Sequence, residues 1–359
     1  MADLLIYSLA EFREVIFAAL DLVGATSVVE VGGEDGLFTR QLLSWAEGSA
    51  AAIDCIDPLP SDGLVELMRT SPAGQLHRCR GVEAIPEIGE VDVYLIDGDH
   101  NHHTVMSELK AVEKACQARW PLVAIHDVGW PSARRDMYYD PASIPDRARH
   151  PYDYARGTTL DSSDLVEDGF RGAGSFAWAV YEGGAANGVL TAIEDFLADR
   201  PHLELHVVPC VFGLGVVFSK SSPHADGLRQ ILSSHEGNPL LERLERNRLE
   251  LYLHVLRLQH DLDRSKEEAA LQVRDLEVEN RGLWARVGEL EGQLRETTER
   301  FAALAVEVAS TVGSRSFVVA ERLSRLHRRL GHGPGISGER LRSLSPVEAP
   351  HHAQRRTRR

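Results

Sequence analysis

Two clusters of acidic and imidazole side chains carry the most chemistry in this sequence of 359 residues. The first contains Asp97, Asp99 and His100, and the second is the pair His126 and Asp127, one amphipathic stretch later. Carboxylate oxygens with one imidazole suit Mg²⁺ or Mn²⁺, which lowers the pKa of a bound hydroxyl. We therefore predict that Asp97, His126 and Asp127 are metal ligands. A histidine can remove a hydroxyl proton at neutral pH, so His100, Asp97 and Asp99 are the predicted catalytic residues.

A glycine-rich turn earlier in the chain is the predicted cofactor site. It contains Glu30, Gly32, Gly33, Glu34, Asp35 and Gly36, directly after an apolar segment. The dinucleotide fingerprint needs the spacing G-x-G-x-x-G and free amides for a pyrophosphate. Carboxylates around a phosphate are repulsive, whereas they suit the sulfonium and ammonium groups of S-adenosylmethionine. An ordinary tight turn would also explain the glycines.

An acidic residue about twenty positions beyond this turn supports a nucleoside ligand. Asp57 ends the next apolar segment, where a carboxylate can accept both ribose hydroxyls. Asp54 lies inside the same segment. Either acid would also serve as a cap for the helix that follows Pro60.

Short apolar segments rich in Val and Ile must position these residues. They alternate with amphipathic stretches and predict strands and helices in a layered sheet. The predicted strands are Ser27–Val31, Ala51–Ile56, Gln75–Cys79, Val91–Ile96, Leu122–Ile125, Leu203–Val208 and Leu214–Phe218. The first five connect through crossovers and favour parallel pairing, whereas the last two favour an antiparallel hairpin. The predicted fold of residues 1–222 is an α/β, Rossmann-like, doubly wound sheet of seven mostly parallel strands with an antiparallel edge, whose carboxyl-terminal rim gathers the acids and histidines.

Residues 240–312 predict a long α-helical coiled coil after a linker at 223–239. With a positions at Asn280, Val287, Leu294, Phe301 and Val308, the d positions are Leu276, Leu283, Leu290, Thr297 and Leu304. This seam persists for nearly five heptads, and a lone Asn at an a position favours two parallel strands. The pattern predicts self-association as a dimer. A long helix folded back on the globular domain is the alternative.

The carboxy-terminal part of the chain is basic, although the protein as a whole has a net charge of -15. Residues 313–359 carry a net charge of +8, which leaves -23 on the rest and argues against nucleic acid as a partner. Residues 313–330 predict a basic amphipathic helix, which fits peripheral contact with an anionic membrane surface as well as a solvated extension of the coil. Residues 331–359 predict a disordered basic tail.

Taken together, these motifs resemble class I S-adenosylmethionine-dependent methyltransferases, in the bacterial branch of sugar and antibiotic O-methyltransferases. The resemblance covers about residues 11–220. It implies that Glu30, Gly32 and Gly36 line the methionine part of the cofactor, that Asp57 binds its ribose, and that Val82 or Glu83 flanks its adenine. In metal-dependent members the positions of Asp97, His126 and Asp127 bind the cation, although many members have a carboxyl or amide residue where this chain has His126. His100 resembles the base, with His102 and His103 as rivals.

Residues 131–186 form a long aromatic and charged segment that leaves the rim after the fifth strand. Segments of this length in compact domains are commonly lids or binding elements, so we interpret it as the acceptor loop. An irregular decoration or an oligomer contact is the alternative.

The resulting functional hypothesis is methyl transfer to a hydroxyl of a sugar, glycan or glycolipid precursor. Four cysteines without a CxxC pair and a start without a basic leader favour the cytoplasm, and the basic helix favours the inner face of the cell membrane. One rival is a nicotinamide-dependent oxidoreductase. Another is a coiled-coil assembly protein with an inactive methyltransferase-like domain.

Overall fold

A seven-stranded sheet dominates the computed structural model, which describes residues 8–331. Its strands are β1 (Ser27–Val31), β2 (Ala52–Ile56), β3 (Gly74–His77), β4 (Val93–Ile96), β5 (Leu122–His126), β11 (Leu203–Val208) and β12 (Leu214–Ser219). All seven predicted strands are present, with ends that differ by at most two residues. The predicted mixed α/β fold is confirmed.

The order of the strands makes this a doubly wound sheet. It reads β11-β12-β5-β4-β1-β2-β3, with parallel pairing from β5 to β3 and with β12 antiparallel to both β5 and β11. The chain leaves β1 towards β2 on one side and later returns to β4 on the other side. This reversal opens a crevice at the carboxyl ends of β1 and β4, the usual ligand position in such sheets.

Helices cover both faces of the sheet. They are α1 (Arg13–Val23), α2 (Leu37–Ser49), α3 (Asp62–Thr70), α4 (Gly81–Ile88), α5 (His102–Ala115), α6 (Val189–Leu197) and α7 (Ala225–Leu232). Neighbouring residues of β1 enter opposite layers, since Val28 packs with the core under α1 and α2, and Val29 with the core under α4 and α5. Burial on both faces explains why these strands are apolar throughout rather than alternating.

The first compact unit is longer than the predicted domain of residues 1–222. Contacts place its end at Asp263, and a second unit begins at Arg264. The expected linker, 223–239, contains α7, whose Leu228 and Leu232 are buried in the core. The apolar residues of this segment, which recur at the spacing of helix turns, therefore belong to the core of the first unit.

The insertion, residues 131–186, is a folded element rather than an irregular loop. It contains β6 (Met137–Tyr138), β7 (Tyr152–Asp153), β8 (Gly157–Thr159), β9 (Ser162–Val166), β10 (Ala177–Ala179) and two 3-10 turns, Pro141–Ser143 and Asp146–Ala148; a third 3-10 turn, Leu9–Phe12, precedes α1. The carboxylate of Asp136 anchors the insertion. It accepts hydrogen bonds from the N–H of His102 (2.8 Å), the N–H of Gly188 (2.7 Å) and the hydroxyl of Tyr138 (2.8 Å).

Two more helices follow α7, namely α8 (Pro239–Gly313) and α9 (Arg315–Arg329). The long helix α8 confirms the predicted helical character of residues 240–312, and α9 lies within residues 313–330. Within the second unit the apolar seam of α8 is solvent-exposed, and Leu276, Leu283 and Leu294 each expose about 60% or more of their surface, with values of 63%, 59% and 68%.

Within residues 8–331, no single helix is long and apolar enough to cross a membrane, although the bent pair α8 and α9 together has the required length and composition. The predicted disordered tail from residue 332 onward and the first seven residues lie outside the described part of the chain.

Candidate functional site

The β1 turn, residues 32–36, packs directly against the end of β4. Gly32 has φ +90°, and a Cβ there would lie 2.0 Å from the carbonyl oxygen of Asp97. The N–H of Gly32 donates to the carbonyl of Ile56, and the N–H of Asp97 donates to the carbonyl of Val31, both at 2.8 Å. Only glycine permits this approach, which brings the turn and Asp97 together at the rim.

Asp57 organises the same turn from the end of β2. One carboxylate oxygen accepts the N–H of Glu34 and the other accepts the N–H of Leu59, both at 2.8 Å. Asp54, the other candidate, points along the sheet instead and lies 2.6 Å from Nε2 of His77. The geometry therefore favours Asp57 over Asp54 as the rim acid.

Glu30 lies beneath the turn and is 2% exposed. Its Oε2 has no hydrogen-bond partner among residues 8–331. Burial raises the pKa of Glu30 to about 8, and burial also raises the pKa of Glu34, with the nearby carboxylate Asp35 adding to the effect. An orphaned carboxyl oxygen of this kind leaves a place for a donor from a ligand.

His126 is held at both ring nitrogens by acceptors. Its Nδ1 lies 2.9 Å from Oδ1 of Asp97, and its Nε2 lies 2.8 Å from the carbonyl oxygen of Val211. A backbone carbonyl only accepts, and an ionised carboxylate only accepts, so both nitrogens must carry hydrogen. Burial by itself would lower the pKa of His126, but the carboxylates of Asp97 and Asp127 outweigh it and raise the pKa to about 9.

The metal role predicted for Asp97, His126 and Asp127 stays a prediction. With hydrogen on both ring nitrogens, His126 has no lone pair for a cation, so binding a metal would require it to give up one of these hydrogens. Within residues 8–331, no group of His, Cys, Asp and Glu has the arrangement of a metal site. Asp97, His126 and Asp127 do converge, with Nδ1 of His126 3.8 Å from Oδ1 of Asp127. They form an ion cluster in which His126 is the positive charge.

His100 is the histidine that reaches this cluster. It is buried, and its Nδ1 lies 3.1 Å from Oδ2 of Asp127. Asp127 has φ +61°, a left-handed conformation that Asp adopts more readily than most residues. The ring of Tyr139, from the insertion, lies 5.9 Å from the ring of His100. A carboxylate at one imidazole nitrogen leaves Nε2 as the atom that exchanges protons with a substrate.

The other two histidines and Asp99 have different neighbours. Nε2 of His102 lies 2.9 Å from Asp195 on α6, and burial lowers the pKa of His103. Asp99 accepts hydrogen bonds from Asn101 Nδ2 (2.5 Å), Thr104 Oγ1 (3.2 Å) and the N–H of Tyr139 (3.4 Å). Burial raises the pKa of Asp99 despite these bonds. Its contacts make Asp99 a link between α5 and the insertion.

The predicted adenine-flanking residues begin α4. Val82 is 36% exposed, and Oε2 of Glu83 accepts the N–H of Arg80 at 3.3 Å. Sequence reasoning missed Glu108, a fully buried residue of α5 in this region, whose Oε1 would lie 2.2 Å from a Cβ on Gly81. Burial raises its pKa to about 8, and the charge of Asp99 adds to this.

Glu108 gives a prediction for stability against pH. An acid whose pKa rises from 4.5 to about 8 on folding keeps its proton in the native state, so the free energy of unfolding falls as pH rises through this window. Each such group contributes at most about 1.4 kcal/mol per pH unit. We expect Glu108→Gln to make the fall between pH 5 and 8 less steep by up to this amount, as measured by urea unfolding at several pH values.

Glu113→Gln is the matched control on the same helix. The pKa of Glu113 is lowered by its hydrogen bond with Arg200, so its proton balance does not change between pH 5 and 8. An unchanged slope for Glu108→Gln would show that Glu108 is ionised in the folded protein.

Sequence reasoning also missed three residues that shape the rim. Val211 supplies the carbonyl that His126 contacts, Asp136 anchors the insertion, and Glu245 of α8 accepts the N–H of Phe212 at 3.0 Å. A backbone carbonyl carries no residue-type signal, and Glu245 looks like any surface acid of a long helix. The run around Asp136, although conspicuous for its arginines and tyrosines, did not indicate an anchor.

No protein-family model and no curated protein matches this sequence. The solved structures similar to it include the SAH-bound methyltransferase PaMTH1 of Podospora anserina, at 14% identity and a TM-score of 0.40, over 60% of this chain and 80% of that one. TomG from Streptomyces achromogenes, an O-methyltransferase of tomaymycin synthesis in complex with SAM, is 12% identical with a TM-score of 0.37, over 61% and 83%. A putative caffeoyl-CoA O-methyltransferase from Staphylococcus aureus is 11% identical with a TM-score of 0.35, over 59% and 90%.

Proposed function

We propose that this chain is an S-adenosylmethionine-dependent O-methyltransferase. The observation that carries the proposal is the acid-rich crevice at the reversal of the sheet, where the β1 turn, Glu30, Asp57 and Asp97 meet. Residues 30–36 include three acids and no basic residue. The raised pKa of Glu30 keeps that residue protonated near neutral pH, but the other rim carboxylates still oppose a dinucleotide phosphate and suit a cationic ligand.

The residues present fit this cofactor. The unpartnered Oε2 of Glu30 offers an acceptor beneath the turn, and both oxygens of Asp57 retain lone pairs beyond the N–H groups that they accept. Glu30, Gly32, Gly33, Gly36 and Asp97 would line the methionine part, Asp57 would hold the ribose, and Val82 and Glu83 would flank the adenine. When bound, S-adenosylmethionine supplies an electrophilic methyl group on a sulfonium.

His100 is the proposed base. Its Nε2 takes the proton of the acceptor hydroxyl as the oxygen attacks the methyl carbon in line, and Asp127 stabilises the imidazolium that results. The protein also holds both reactants in a fixed orientation, which supplies part of the rate enhancement. His126, already protonated, holds Asp97 in place and takes no part in proton transfer.

Isothermal titration tests the cofactor. We expect binding of S-adenosylmethionine and S-adenosylhomocysteine but not of NADH, and we expect Asp57→Ala to weaken binding at least about tenfold, because a charge-assisted hydrogen bond contributes about 1.5–3 kcal/mol. Asp54→Ala is the matched control, since Asp54 pairs with His77. Binding of NADH would support an oxidoreductase. Binding of none of these ligands would support an assembly protein with an inactive domain.

For the acceptor, we propose a hydroxyl of a sugar, glycan or glycolipid precursor. Tyr139, Tyr152, Tyr154 and Tyr181 lie on the insertion, and each exposes more than a third of its surface. Exposed aromatic rings with a polar tip suit the faces and hydroxyls of sugar rings. Screening free sugars, nucleotide sugars and lipid-linked sugars for release of S-adenosylhomocysteine tests this proposal, and turnover of catechols alone would contradict it.

The seam of α8 supports a second proposal, a parallel two-stranded coiled coil formed with another copy of the chain. In a parallel pair, Arg286 at g faces Glu291 at e of the second copy, and the Asn280 side chains meet. In an antiparallel pair centred on Gln293, Arg286 would face Arg300. Attraction in one arrangement and repulsion in the other favour the parallel dimer.

The basic helix supports a third proposal, peripheral attachment to the inner face of the cell membrane. Residues 313–330 contain five arginines and one glutamate, and Leu323 and Leu326 of α9, together with Leu330 directly after it, are exposed. Each basic residue near an anionic surface contributes about 1 kcal/mol at low salt, and two tails in a dimer bind more tightly than one. The net charge of -23 on the rest of the chain is repelled by the same anionic surface and offsets part of this attraction.

Vesicle sedimentation tests the attachment. We expect the full chain to bind vesicles that contain an anionic lipid at low salt and to dissociate as salt rises, because the attraction is screened. A chain that ends at Val312 should lose this binding and keep cofactor affinity. Neutral vesicles are the control, and indifference of the full chain to anionic vesicles at low salt would refute the proposal.

A further inference from the structure

A strained loop carries the carbonyl that contacts His126. This loop, residues 210–213, joins β11 to β12, and Val211 and Phe212 have φ values of +49° and +63°. The left-handed region is unfavourable for residues other than glycine, above all for a β-branched residue such as Val211. Such a conformation persists only where neighbouring groups hold it.

Glu245, in the second turn of α8, is placed to hold this loop. Its Oε1 accepts the N–H of Phe212 at 3.0 Å. The two nitrogens Nε and Nη2 of Arg248 contact its carboxylate at 2.7 and 2.6 Å, and the guanidinium carbon of Arg248 lies 4.7 Å from the centre of the Phe212 ring. Burial would raise the pKa of Glu245, but the Arg248 bonds and the backbone N–H of Phe212 outweigh it, so the pKa is lowered.

Aromatic rings close the loop from its other side. Phe212 stacks on Phe170 of the insertion, with ring centres 6.1 Å apart and planes 13° apart. Tyr252, two turns beyond Glu245 on α8, meets the edge of Phe170 at 5.6 Å. The base of α8 therefore touches both the loop and the insertion, and every residue concerned belongs to the first compact unit.

We propose that Glu245 is a positioning residue for His126: it holds the loop so that the Val211 carbonyl stays on Nε2 of His126 and the ring stays against Asp97. The path runs from Glu245 through Phe212 and Val211 to His126, with each link a contact of 3.0 Å or less or a peptide bond. Without Glu245, the loop is expected to relax out of its left-handed conformation and to withdraw the carbonyl. His126 then loses one of its two acceptors.

Nitrogen NMR of the full chain labelled with ¹⁵N-histidine tests this proposal. In the unmodified protein at pH 7.5, we expect both nitrogens of His126 to give the shifts of protonated nitrogens, and the spectrum of His126→Gln assigns these signals. In Glu245→Leu, the hydrogen on Nε2 should lose its acceptor, so its proton signal should move upfield and exchange faster with water, while the signal of the Nδ1 hydrogen, which faces Asp97, should stay in place. Glu250→Gln, an exposed acid of α8 paired with Arg246, is the control and should leave the signals unchanged.

Glu245→Gln keeps the fold if the leucine variant does not, because an amide oxygen can still accept the N–H of Phe212. It loses the charge that Arg248 contacts, and the His126 signals should then broaden or shift partway. Unchanged His126 signals in a folded Glu245 variant would overturn the proposal and make Glu245 a helix-docking residue only.

The expected effect of the Glu245 variants on activity rests on the proposed function. There we expect kcat to fall by up to about 100-fold, because a displacement of about 1 Å within a reacting site can have an effect of this size, with little change in affinity for S-adenosylmethionine. The NMR result stands whether or not the chain transfers methyl groups, so failure of the proposed function and failure of this inference are distinguishable.

Discussion

Replacing His100 by Ala is expected to lower kcat for methyl transfer by about 10²- to 10⁴-fold, the usual contribution of a general base. The reason is its place at the rim, with Nδ1 3.1 Å from Asp127 and the ring beside Tyr139. Affinity for S-adenosylmethionine should change little, because the proposed cofactor contacts lie at β1 and β2. Initial rates with an acceptor found in the sugar screen, together with isothermal titration, measure both quantities.

The two neighbouring histidines provide matched controls. His102→Ala removes a contact with Asp195, and His103→Ala removes a partly buried ring on the same first turn of α5. Neither should lower kcat by more than a few-fold. If His103→Ala abolished activity and His100→Ala did not, the assignment of the base would be wrong.

Removal of divalent cations gives a related expectation. Because His126 has acceptors at both ring nitrogens and stands as the positive charge between Asp97 and Asp127, activity should be unchanged in excess EDTA. Asp97→Asn should nevertheless lower activity by orders of magnitude, since it removes the charge that holds His126. Loss of activity in EDTA, restored by Mg²⁺ or Mn²⁺, would show that the cluster rearranges to bind metal.

The second large effect concerns the length of α8. A chain that ends at Asp263 is expected to be a monomer with cofactor affinity intact, because it keeps the first compact unit and loses the seam. A chain that ends at Pro239 is also expected to be monomeric, but it lacks Glu245, Arg248 and Tyr252 and should lose most of its activity. Sedimentation velocity and initial rates of the three lengths separate these outcomes.

Single substitutions in the full chain sharpen this test. Leu283→Lys places a charge at a d position and should give monomers at micromolar concentration, whereas Glu299→Lys, at an outward f position, should remain dimeric. Leu283→Cys should form a disulfide between the two copies of a parallel dimer. The unmodified chain, which has four free cysteines of its own, is the control. A full chain that sediments as a monomer would refute the coil.

The fold was predictable because its signals are local and repeated. Segments such as Ser27–Val31 are mostly apolar, and the helices between them have regular apolar faces, so both the strands and their parallel pairing follow. The rim followed as well, since strand ends in such a sheet meet at one edge. The linker at 223–239 was mistaken because a single short helix, α7, has few residues in which to show a period.

The chemistry at the rim was less predictable, for a physical reason. His126 and Asp97 were named, but their relation depends on whether the imidazole gives a lone pair to a metal or hydrogens to oxygen atoms. The Val211 carbonyl and Glu245 determine which of the two arrangements forms. Glu245 lies 119 positions after His126, on a helix, whereas His126 ends a strand. Residue type alone cannot report an acceptor that belongs to the backbone.

The Asp136 anchor also has a consequence for how an acceptor would be captured. Because one buried carboxylate joins the insertion to the start of α5 and to the residue before α6, the base of the insertion is already ordered before any acceptor arrives. Ordering flexible segments upon association costs conformational entropy, and a preformed wall avoids that cost. The acceptor would then bind to a surface that is already formed, with a small loss of conformational entropy. Its association rate would be set by diffusion into the crevice rather than by closure of the insertion.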